Sequence, residues 1–235
     1  MIGAVVGVQP FGGEGLSGTG PKAGGPLYIH RLLREGPPAN LEGIRDEAKL
    51  EPLAALAKWV ESNAGGLLNR DERTRLAETF ERYRKESPLP VEMTLKGPVG
   101  EDNRLRFLPR GTVLGIATSV PDALHQFGAA LATGNRFLLH DNEAAKRLLD
   151  GLPKPLRARI ASAAAWEASS FDAVLVCDEA RARDIAQTLA RGPGPIVPVL
   201  SGNPDYNLDM LVKERTVSIN TAAAGGNASL MTIGK

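Results

Sequence analysis

A glycine-rich segment near the start of the chain limits how residues 2–25 can fold. Seven of the 14 positions from 12 to 25 are glycine, and an apolar, strand-like run at 2–8 precedes them. Glycine reaches backbone angles that other residues avoid, but it loses more conformational freedom on folding. A strand that leads into such a loop cannot bury its apolar side chains locally. We therefore expect this segment to pack against other parts of a longer protein.

The same segment contains a pattern that resembles a phosphate-binding motif. Residues 13–18 match the G-x-G-x-x-G spacing of a dinucleotide-binding turn. That turn requires a strand directly before it and a helix that begins at its last glycine. Here Pro10 and Phe11 end the strand, and Pro21 prevents a helix from beginning at the last glycine. The sequence therefore predicts a loop at 13–18 and not a phosphate site.

The bulk composition excludes several classes of protein. The 235 residues carry a net charge of +1, and 43% of them are hydrophobic and 23% charged, as in ordinary soluble globular proteins. No lysine- or arginine-rich run indicates nucleic-acid binding. No apolar stretch approaches the ~20 residues needed to cross a bilayer, and the N-terminus lacks the pattern of a secretory signal. We expect a cytoplasmic protein with neither a nucleic-acid partner nor a transmembrane segment.

Cysteine and histidine provide no candidate metal site. Cys177 is the only cysteine, which fits a reducing compartment and leaves no intrachain disulfide. The histidines, at positions 30, 125 and 140, lie far from one another and from Cys177 in sequence, without the spacings typical of zinc ligands. The sequence therefore predicts no bound metal.

A break after residue 35, with glycine followed by two prolines, separates a first segment from a predicted helical region at 36–87. In the first helix of this region, apolar residues recur at helical spacing from Leu53 to Val60. The second helix is predicted to begin after Asn69. Glu72 stands three positions further on, which is the arrangement of a capping box.

Residues 88–215 alternate between short apolar runs and helical patterns. Strands are predicted at 113–117, 137–139, 173–176 and 196–200. Helices are predicted at 122–132, 144–149, 155–165 and 179–191. This alternation is typical of a parallel sheet with helices on both faces. The predicted fold class is therefore α/β and Rossmann-like, with the helical region at 36–87 preceding the sheet.

The segment from Phe11 to Pro26 closely resembles the end of the aldehyde dehydrogenase domain in the proline utilization A family. The resemblance implies that residues 1–35 are the end of a pyrroline-5-carboxylate dehydrogenase domain. In that family, backbone N–H groups at the positions of Gly3 and Ala4 anchor the carboxylate of the substrate. Phe11 would pack on the aliphatic part of the substrate, whereas Ala4 lacks a hydroxyl group that relatives use.

A second stretch, 108–139, resembles the beginning of an aldehyde dehydrogenase. Its catalytic positions differ from the family pattern. Ser119 stands where the family has an asparagine that stabilises the oxyanion, and His140 replaces a lysine that holds the cofactor. Cys177 ends an apolar strand, where a thiol behaves as a small buried hydrophobe with a raised pKa. The resemblance therefore implies a degenerate, non-catalytic domain with no catalytic or cofactor-binding residues of its own.

The C-terminal residues 216–235 resemble the tail that follows a non-catalytic domain in long members of the same family. A strand is predicted at 217–219, and small residues at 222–228 cannot fill a core. Small residues let two backbones approach closely. We expect this tail to act as a flap that pairs with or covers a partner surface.

The resemblance implies a parent enzyme that oxidises proline to glutamate with FAD at one site and NAD at another. Neither cofactor site is expected within these residues, so the chain alone should be inactive. Its expected partners are the remainder of the parent enzyme and further copies in a homo-oligomer. Two other functions stay open: an independent nucleotide-binding module built on 88–140, and a pure oligomerisation domain.

Overall fold

The computed structural model describes residues 4–5, 9–18, 20–33, 39–62, 66–97, 99–202 and 206–221. These residues form two β-sheets, one of five strands and one of four, together with seven α-helices. Gly3, most of the predicted N-terminal strand and the tail beyond residue 221 lie outside the described residues. None of the helices in the described part of the chain is long and apolar enough to span a membrane.

The larger sheet is parallel throughout. Its strands are β4 (Thr112–Ile116), β5 (Arg136–His140), β6 (Ile160–Ala163), β7 (Ala173–Val176) and β8 (Val199–Ser201). They lie in the order β6-β5-β4-β7-β8. The first strand in sequence is thus central, and the chain winds outward from it in both directions. This doubly wound arrangement confirms the predicted α/β fold class.

Helices cover both faces of the parallel sheet. One face packs against α2 (Glu51–Glu61), α3 (Arg70–Glu86), α4 (Val120–Ala132), α5 (Glu143–Gly151) and the single-turn α6 (Lys154–Arg157). The other face packs against α7 (Glu179–Ala190) through Ala182 and Ile185. The capping box at the start of α3 is confirmed, because the Asn69 side chain accepts from the backbone N–H of Glu72 at 2.9 Å, and the Glu72 carboxylate accepts from Asn69 N–H at 2.8 Å.

The helix predicted at 155–165 is wrong in its second half. The helical turn ends at Arg157, and Ile160–Ala163 instead forms the edge strand β6, which pairs in parallel with β5. Alanine-rich sequence favours helix intrinsically, but that preference is worth only a fraction of a kcal/mol per residue. Pairing with the edge of an existing sheet outweighs it here.

A second sheet, which the sequence analysis did not predict, is antiparallel. It consists of β1 (Ile44–Arg45), β2 (Val91–Leu95), β3 (Glu101–Pro109) and β9 (Val212–Asn220), in the order β1-β2-β3-β9. Nine residue pairs join β3 to β9, from Glu101 opposite Asn220 to Pro109 opposite Val212. The strand predicted at 217–219 belongs to β9, which continues across position 215, where the sequence analysis divided the α/β domain from the tail.

Candidate functional site

The first segment of the chain is attached to the antiparallel sheet by a buried ion pair. Arg31 lies on the short helix α1 (Tyr28–Leu32), and its Nη1 is 2.6 Å from Glu214 Oε2 on β9. The two side chains are only 6% and 0% exposed. Arg31 also donates from Nε to the carbonyl of Asp209 at 2.9 Å and from Nη2 to that of Val212 at 3.0 Å. Burial raises the pKa of Glu214, and the Arg31 guanidinium opposes that shift.

Apolar packing strengthens this attachment. Leu27, directly before α1, is fully buried in the core of the antiparallel sheet with Val91, Leu105, Phe107 and Val212. The backbone at Gly25 passes so close to β9 that a Cβ at this position would overlap Oε1 of Glu214. The glycine is therefore required by close approach and not only by loop geometry.

A buried polar cluster attaches the segment at a second point. The Gln9 side chain donates from Nε2 to Asn103 Oδ1 at 2.6 Å and to Ser218 Oγ at 2.8 Å. Gln9 Oε1 accepts from the backbone N–H of Val5 at 2.6 Å. Gln9 and Asn103 are buried, so these hydrogen bonds satisfy groups that would otherwise be costly to bury. We call Gln9, Leu27 and Arg31, with their partners on β3 and β9, the N-terminal joint.

The glycine-rich residues between the two attachment points form a closed loop. Phe11 and Ala23 exchange two backbone hydrogen bonds, of 3.0 and 2.9 Å, and a short 3₁₀ turn, Gly15–Ser17, lies in the loop between them. No α-helix begins at Gly18. The loop predicted at 13–18 is thus confirmed, and its geometry is not that of a dinucleotide-binding turn.

The structure places two of the three predicted substrate-binding residues. Ala4 is exposed beside Val5, whose backbone N–H is already bound by the Gln9 side chain. Phe11 lies at the base of the loop with 44% of its surface exposed. Gly3 lies outside the described residues. Both placed residues are therefore accessible to a ligand. Ala4 precedes Val5, the hydrogen-bond partner of Gln9, and Phe11 is two positions after Gln9.

The parallel sheet positions a second place of interest, the crevice where its strand order reverses. In open α/β sheets, ligands bind at the carboxyl ends of the strands on either side of this point, which here are β4 and β7. Tyr206, 3% exposed, donates its hydroxyl to the carbonyl of Val176 at the end of β7, at 3.1 Å. Gln126 donates to the Tyr206 hydroxyl at 3.1 Å and to the carbonyl of Ile116, the last residue of β4, at 3.3 Å. Protein side chains therefore occupy the crevice.

Cys177 lies in this filled crevice, in the bend directly after β7, one residue beyond the strand that it was expected to end. Burial raises the pKa of its thiol to about 11, and the Asp122 carboxylate adds to the shift. The thiol donates to the carbonyl of Ile116 at 3.6 Å, and the Gln126 amide donates to the sulfur at 3.6 Å. A thiol with this pKa is largely protonated at neutral pH, which disfavours nucleophilic attack. The interpretation of Cys177 as a structural residue stays a prediction.

The N-terminus of α4, which would face a cofactor's phosphates, already carries a negative charge. Ser119 caps this helix by accepting from the backbone N–H of Asp122 at 3.2 Å. Asp122 accepts from the Thr118 hydroxyl at 2.7 Å. Burial disfavours the charged carboxylate, but the hydrogen bonds from Thr118 and Ser119 prevail and hold the pKa of Asp122 below its usual value. A carboxylate at this helix end opposes the binding of a phosphate.

His140, the second predicted departure from the family pattern, is the last residue of β5. Its Nδ1 is buried and has no hydrogen-bond partner among the described residues. Asn142, two positions on, donates from its amide to the carbonyl of Ala117 at 2.7 Å and caps α5. Asn142 therefore connects the segment that follows β5 to the segment that follows β4.

Comparison with known proteins identifies relatives for the whole chain. No family model matches it. It is 42% identical to the bifunctional protein PutA of Salmonella typhimurium and 43% identical to that of Escherichia coli, each over 253 aligned positions and 100% of this chain. The chain is homologous over its whole length to one part of PutA. It spans 18% of the length of these relatives, and 19% of the Rhizobium meliloti protein, to which it is 41% identical.

Solved structures of PutA and of aldehyde dehydrogenases share the fold. A mutant of Bradyrhizobium japonicum proline utilization A superposes with a TM-score of 0.53 at 24% identity, covering 66% of this chain and 19% of that one. Staphylococcus aureus AldH gives a TM-score of 0.51 at 19% identity, covering 67% and 41%. The PutA-like chain therefore has an aldehyde-dehydrogenase-like fold.

The residues that form the N-terminal joint and those that fill the crevice were not predicted from the sequence. Gln9 and Ser218 are separated by 209 positions, and Arg31 and Glu214 by 183. No local pattern predicts such pairs. Tyr206 carried a weak signal, because a tyrosine that follows an apolar strand usually buries its ring and needs a partner for its hydroxyl.

Proposed function

We propose that this chain is the C-terminal part of a cytoplasmic bifunctional enzyme that oxidises proline to glutamate. Homology to PutA along all of its residues supports the proposal. The parent would convert proline to pyrroline-5-carboxylate with reduction of FAD. Water would open that ring to glutamate semialdehyde, and oxidation of the aldehyde with reduction of NAD would give glutamate. Both cofactors would bind in the remainder of the parent, which is the first partner of this piece.

Within the parent, the α/β domain would be a non-catalytic lid and assembly element. The filled crevice between β4 and β7 supports the non-catalytic role, because Tyr206 and Gln126 occupy the position of a ligand. Asp122 adds a negative charge where a phosphate would bind. A domain with this fold and a filled crevice would contribute to the parent enzyme through contacts made by its surface.

The first segment would form one wall of the aldehyde site. Backbone N–H groups at Gly3 and Ala4 can bind a carboxylate without a basic side chain. The Phe11 ring, 44% exposed, offers an apolar surface for the methylene groups of the substrate. Ala4 supplies no hydroxyl, so the carboxylate would have one donor fewer than in relatives.

The observation that carries this proposal is the N-terminal joint. Gln9 and Arg31 attach both ends of the glycine-rich loop to β3 and β9. The position of the proposed anchor residues therefore depends on the antiparallel sheet, which gives the non-catalytic part of the chain a physical route to the aldehyde site.

The anchor role can be tested by steady-state kinetics of semialdehyde oxidation in the full-length parent. We expect Phe11→Ala to raise KM severalfold with little change in kcat, because packing on the substrate is similar in the ground and transition states. Leu16→Ala is the matched control, since Leu16 is an apolar residue of the same loop and is 82% exposed. Equal KM values for the Phe11→Ala variant and the wild type would contradict the anchor role.

The lid role calls for a different variant. Truncation after Thr221 in the full-length parent removes residues 222–235 of the flap but leaves all of β9. We expect a lag and a slower rate of proline-to-glutamate conversion, while each half-reaction assayed alone keeps its rate. Removal of Lys235 alone is the control. An unchanged coupled rate without a lag would exclude the lid role.

A role in homo-oligomerisation is supported by a separate observation. β9 is the last strand of its sheet and presents Val217 and Ile219, which are 40% and 50% exposed. An apolar edge strand is a template for pairing with another chain. Sedimentation across a concentration series would measure the molar mass of the wild-type parent and of Ile219→Lys. A lower mass for the variant would indicate pairing between copies, and an equal mass would indicate pairing within one parent chain.

A further inference from the structure

A cavity of about 280 Å³ lies between the glycine-rich loop and the amino-terminal edge of the parallel sheet. Gly13, Gly15 and Gly18, the glycines that imitate a dinucleotide motif, line one side. Arg110 and Asp172, which precede β4 and β7, line the other. The cavity is therefore at the opposite edge of the sheet from the crevice where dinucleotides bind in this fold class.

Arg110 is the polar group that distinguishes this cavity. Its Nε donates to the carbonyl of Asp172 at 3.0 Å and its Nη1 to that of Met210 at 3.2 Å. These contacts use two of the five N–H donors of the guanidinium. No carboxylate of the described residues lies within 4.0 Å of Arg110, whereas the neighbouring cations Arg31 and Lys213 pair with Glu214 and Glu14. Arg110 thus keeps guanidinium N–H groups that none of these hydrogen bonds uses, and its charge interacts with the Asp172 and Glu14 carboxylates from beyond contact distance.

The rest of the cavity wall has a larger apolar than polar area, and it also carries the charged side chains of Glu14, Lys22, Arg31, Lys213 and Glu214. Phe171, Ile196, Val197 and Met210 line it together with three prolines. Ile196 is 65% exposed although it is a large aliphatic side chain. Apolar walls with a few convergent polar groups are the usual features of small-molecule sites, and this volume is near the lower end of their range.

We propose that this cavity binds a small carboxylate with an apolar body, in the size range of an amino acid or a short keto acid. The carboxylate would accept hydrogen bonds from the unused N–H groups of Arg110, whose planar fork suits a carboxylate. The apolar body would pack on Phe171, Ile196 and Met210. The proposal does not depend on the lid or anchor roles, although the cavity shares the glycine-rich loop and the Arg31–Glu214 pair with the N-terminal joint.

The test is a titration of the 235-residue chain followed by two-dimensional amide NMR. Isovalerate is the probe, isovaleramide is its uncharged isostere, and inorganic phosphate is an anion without an apolar body. We expect saturable shifts of the Arg110, Asp172 and Ile196 amides with isovalerate, and binding at least about tenfold weaker for the other two, a difference of about 1.4 kcal/mol. Absence of saturable binding by isovalerate would overturn the proposal. Equal binding by isovaleramide or phosphate would also overturn it.

Variants localise the binding. Arg110→Gln removes the charge and Ile196→Asp places a negative charge on the exposed apolar wall, so each should weaken isovalerate binding at least about tenfold. Arg181→Gln, on the exposed surface of α7, is the matched control and should bind as the wild type does. Because Ile196 is largely exposed, Ile196→Asp tests the site even if Arg110→Gln fails to fold. Retained binding in Ile196→Asp would contradict the assignment. Binding by this chain but not by the full-length parent would indicate that another segment of the parent fills the cavity. That result would also overturn the proposal.

Discussion

Arg31 and Glu214 form an ion pair of 2.6 Å, and both side chains are almost entirely buried from solvent. They join α1 to β9 across 183 positions of the chain. Taking two charges out of water is costly, and a buried pair compensates for that cost only with good geometry and additional hydrogen bonds. Arg31 has both, since two backbone carbonyls accept from its remaining nitrogens. The main effect of the pair is therefore to determine where the first segment lies. Its net contribution to the free energy of folding is small.

The first prediction concerns removal of one partner of this pair. Arg31→Ala leaves Glu214 buried without its counter-charge, an arrangement that typically costs ~3–5 kcal/mol. We expect the segment to detach, with faster proteolysis in the glycine-rich loop and faster hydrogen exchange at Leu27 to Leu33. Arg183→Ala, which breaks an exposed pair with Glu179, is the control and should change little. Unchanged exchange at Leu27 to Leu33 in Arg31→Ala would contradict the role of the pair.

The second prediction follows from the raised pKa of Cys177. Alkylation by iodoacetamide requires the thiolate, so its rate should rise with a midpoint near pH 11 and not near the ordinary value of 9.0. Between these pH values the unfolded chain has lost the proton that the folded protein keeps. Stability contributed by the neutral thiol is therefore complete below pH 9.0 and decreases as the pH rises toward 11.

Cys177→Ala provides the control for that pH dependence. The difference in unfolding free energy between the wild type and this variant should shrink from pH 9.0 to 11, because only the wild type carries the titrating thiol. A reactivity midpoint at pH 9.0 or below, together with a constant difference in stability, would show that the thiol is accessible and ordinary.

The parallel sheet was predictable because its signals are local. Four of its five strands are short apolar runs between helical patterns. The capping box of α3 depends on only two residues, Asn69 and Glu72, which are three positions apart. The strand β6 was missed because its alanines and serine favour no strand by themselves. In β3, the buried residues Asn103, Leu105 and Phe107 alternate with exposed ones, so a period of two was present in the sequence. Charged neighbours obscured it.

The candidate sites were less predictable than the fold for a physical reason. The N-terminal joint and the cavity form only when segments more than 90 positions apart are brought together, as Gln9 and Asn103 are. Sequence patterns report the local preferences of the backbone and the faces of single elements. They contain no information about which polar side chain, such as Arg110, keeps unused hydrogen-bond donors in a cavity after folding.

The third prediction concerns the contact between α3 and α4. A Cβ at Gly128 would overlap the Phe80 ring, with Cδ1 only 2.8 Å away. Alanine is the better helix former by about 1 kcal/mol, yet we expect Gly128→Ala to destabilise the protein by ~1–3 kcal/mol, because overpacking a dense core exceeds that gain. Denaturant unfolding measures the change. Gly192→Ala, whose added Cβ would approach Leu189 O no closer than 3.4 Å, is the control.

A second substitution identifies the source of that destabilisation. Phe80→Leu removes the ring atoms that the new methyl group meets, so the double variant should be more stable than the sum of the two single changes predicts. Strict additivity would place the strain elsewhere in α4.

The last prediction tests whether the crevice between β4 and β7 still accepts a nucleotide. Tyr206 and Gln126 bridge the carboxyl ends of both strands, and Asp122 holds a negative charge at the start of α4. We therefore expect isothermal titration of NAD into the chain to give no saturable heat. Tyr206→Phe keeps the ring but loses the hydrogen bond to Val176, and it should bind no better than the wild type if the ring itself fills the space. Saturable binding by the wild type would instead support an independent nucleotide-binding module, and Ser119 and His140 would then be the residues to substitute.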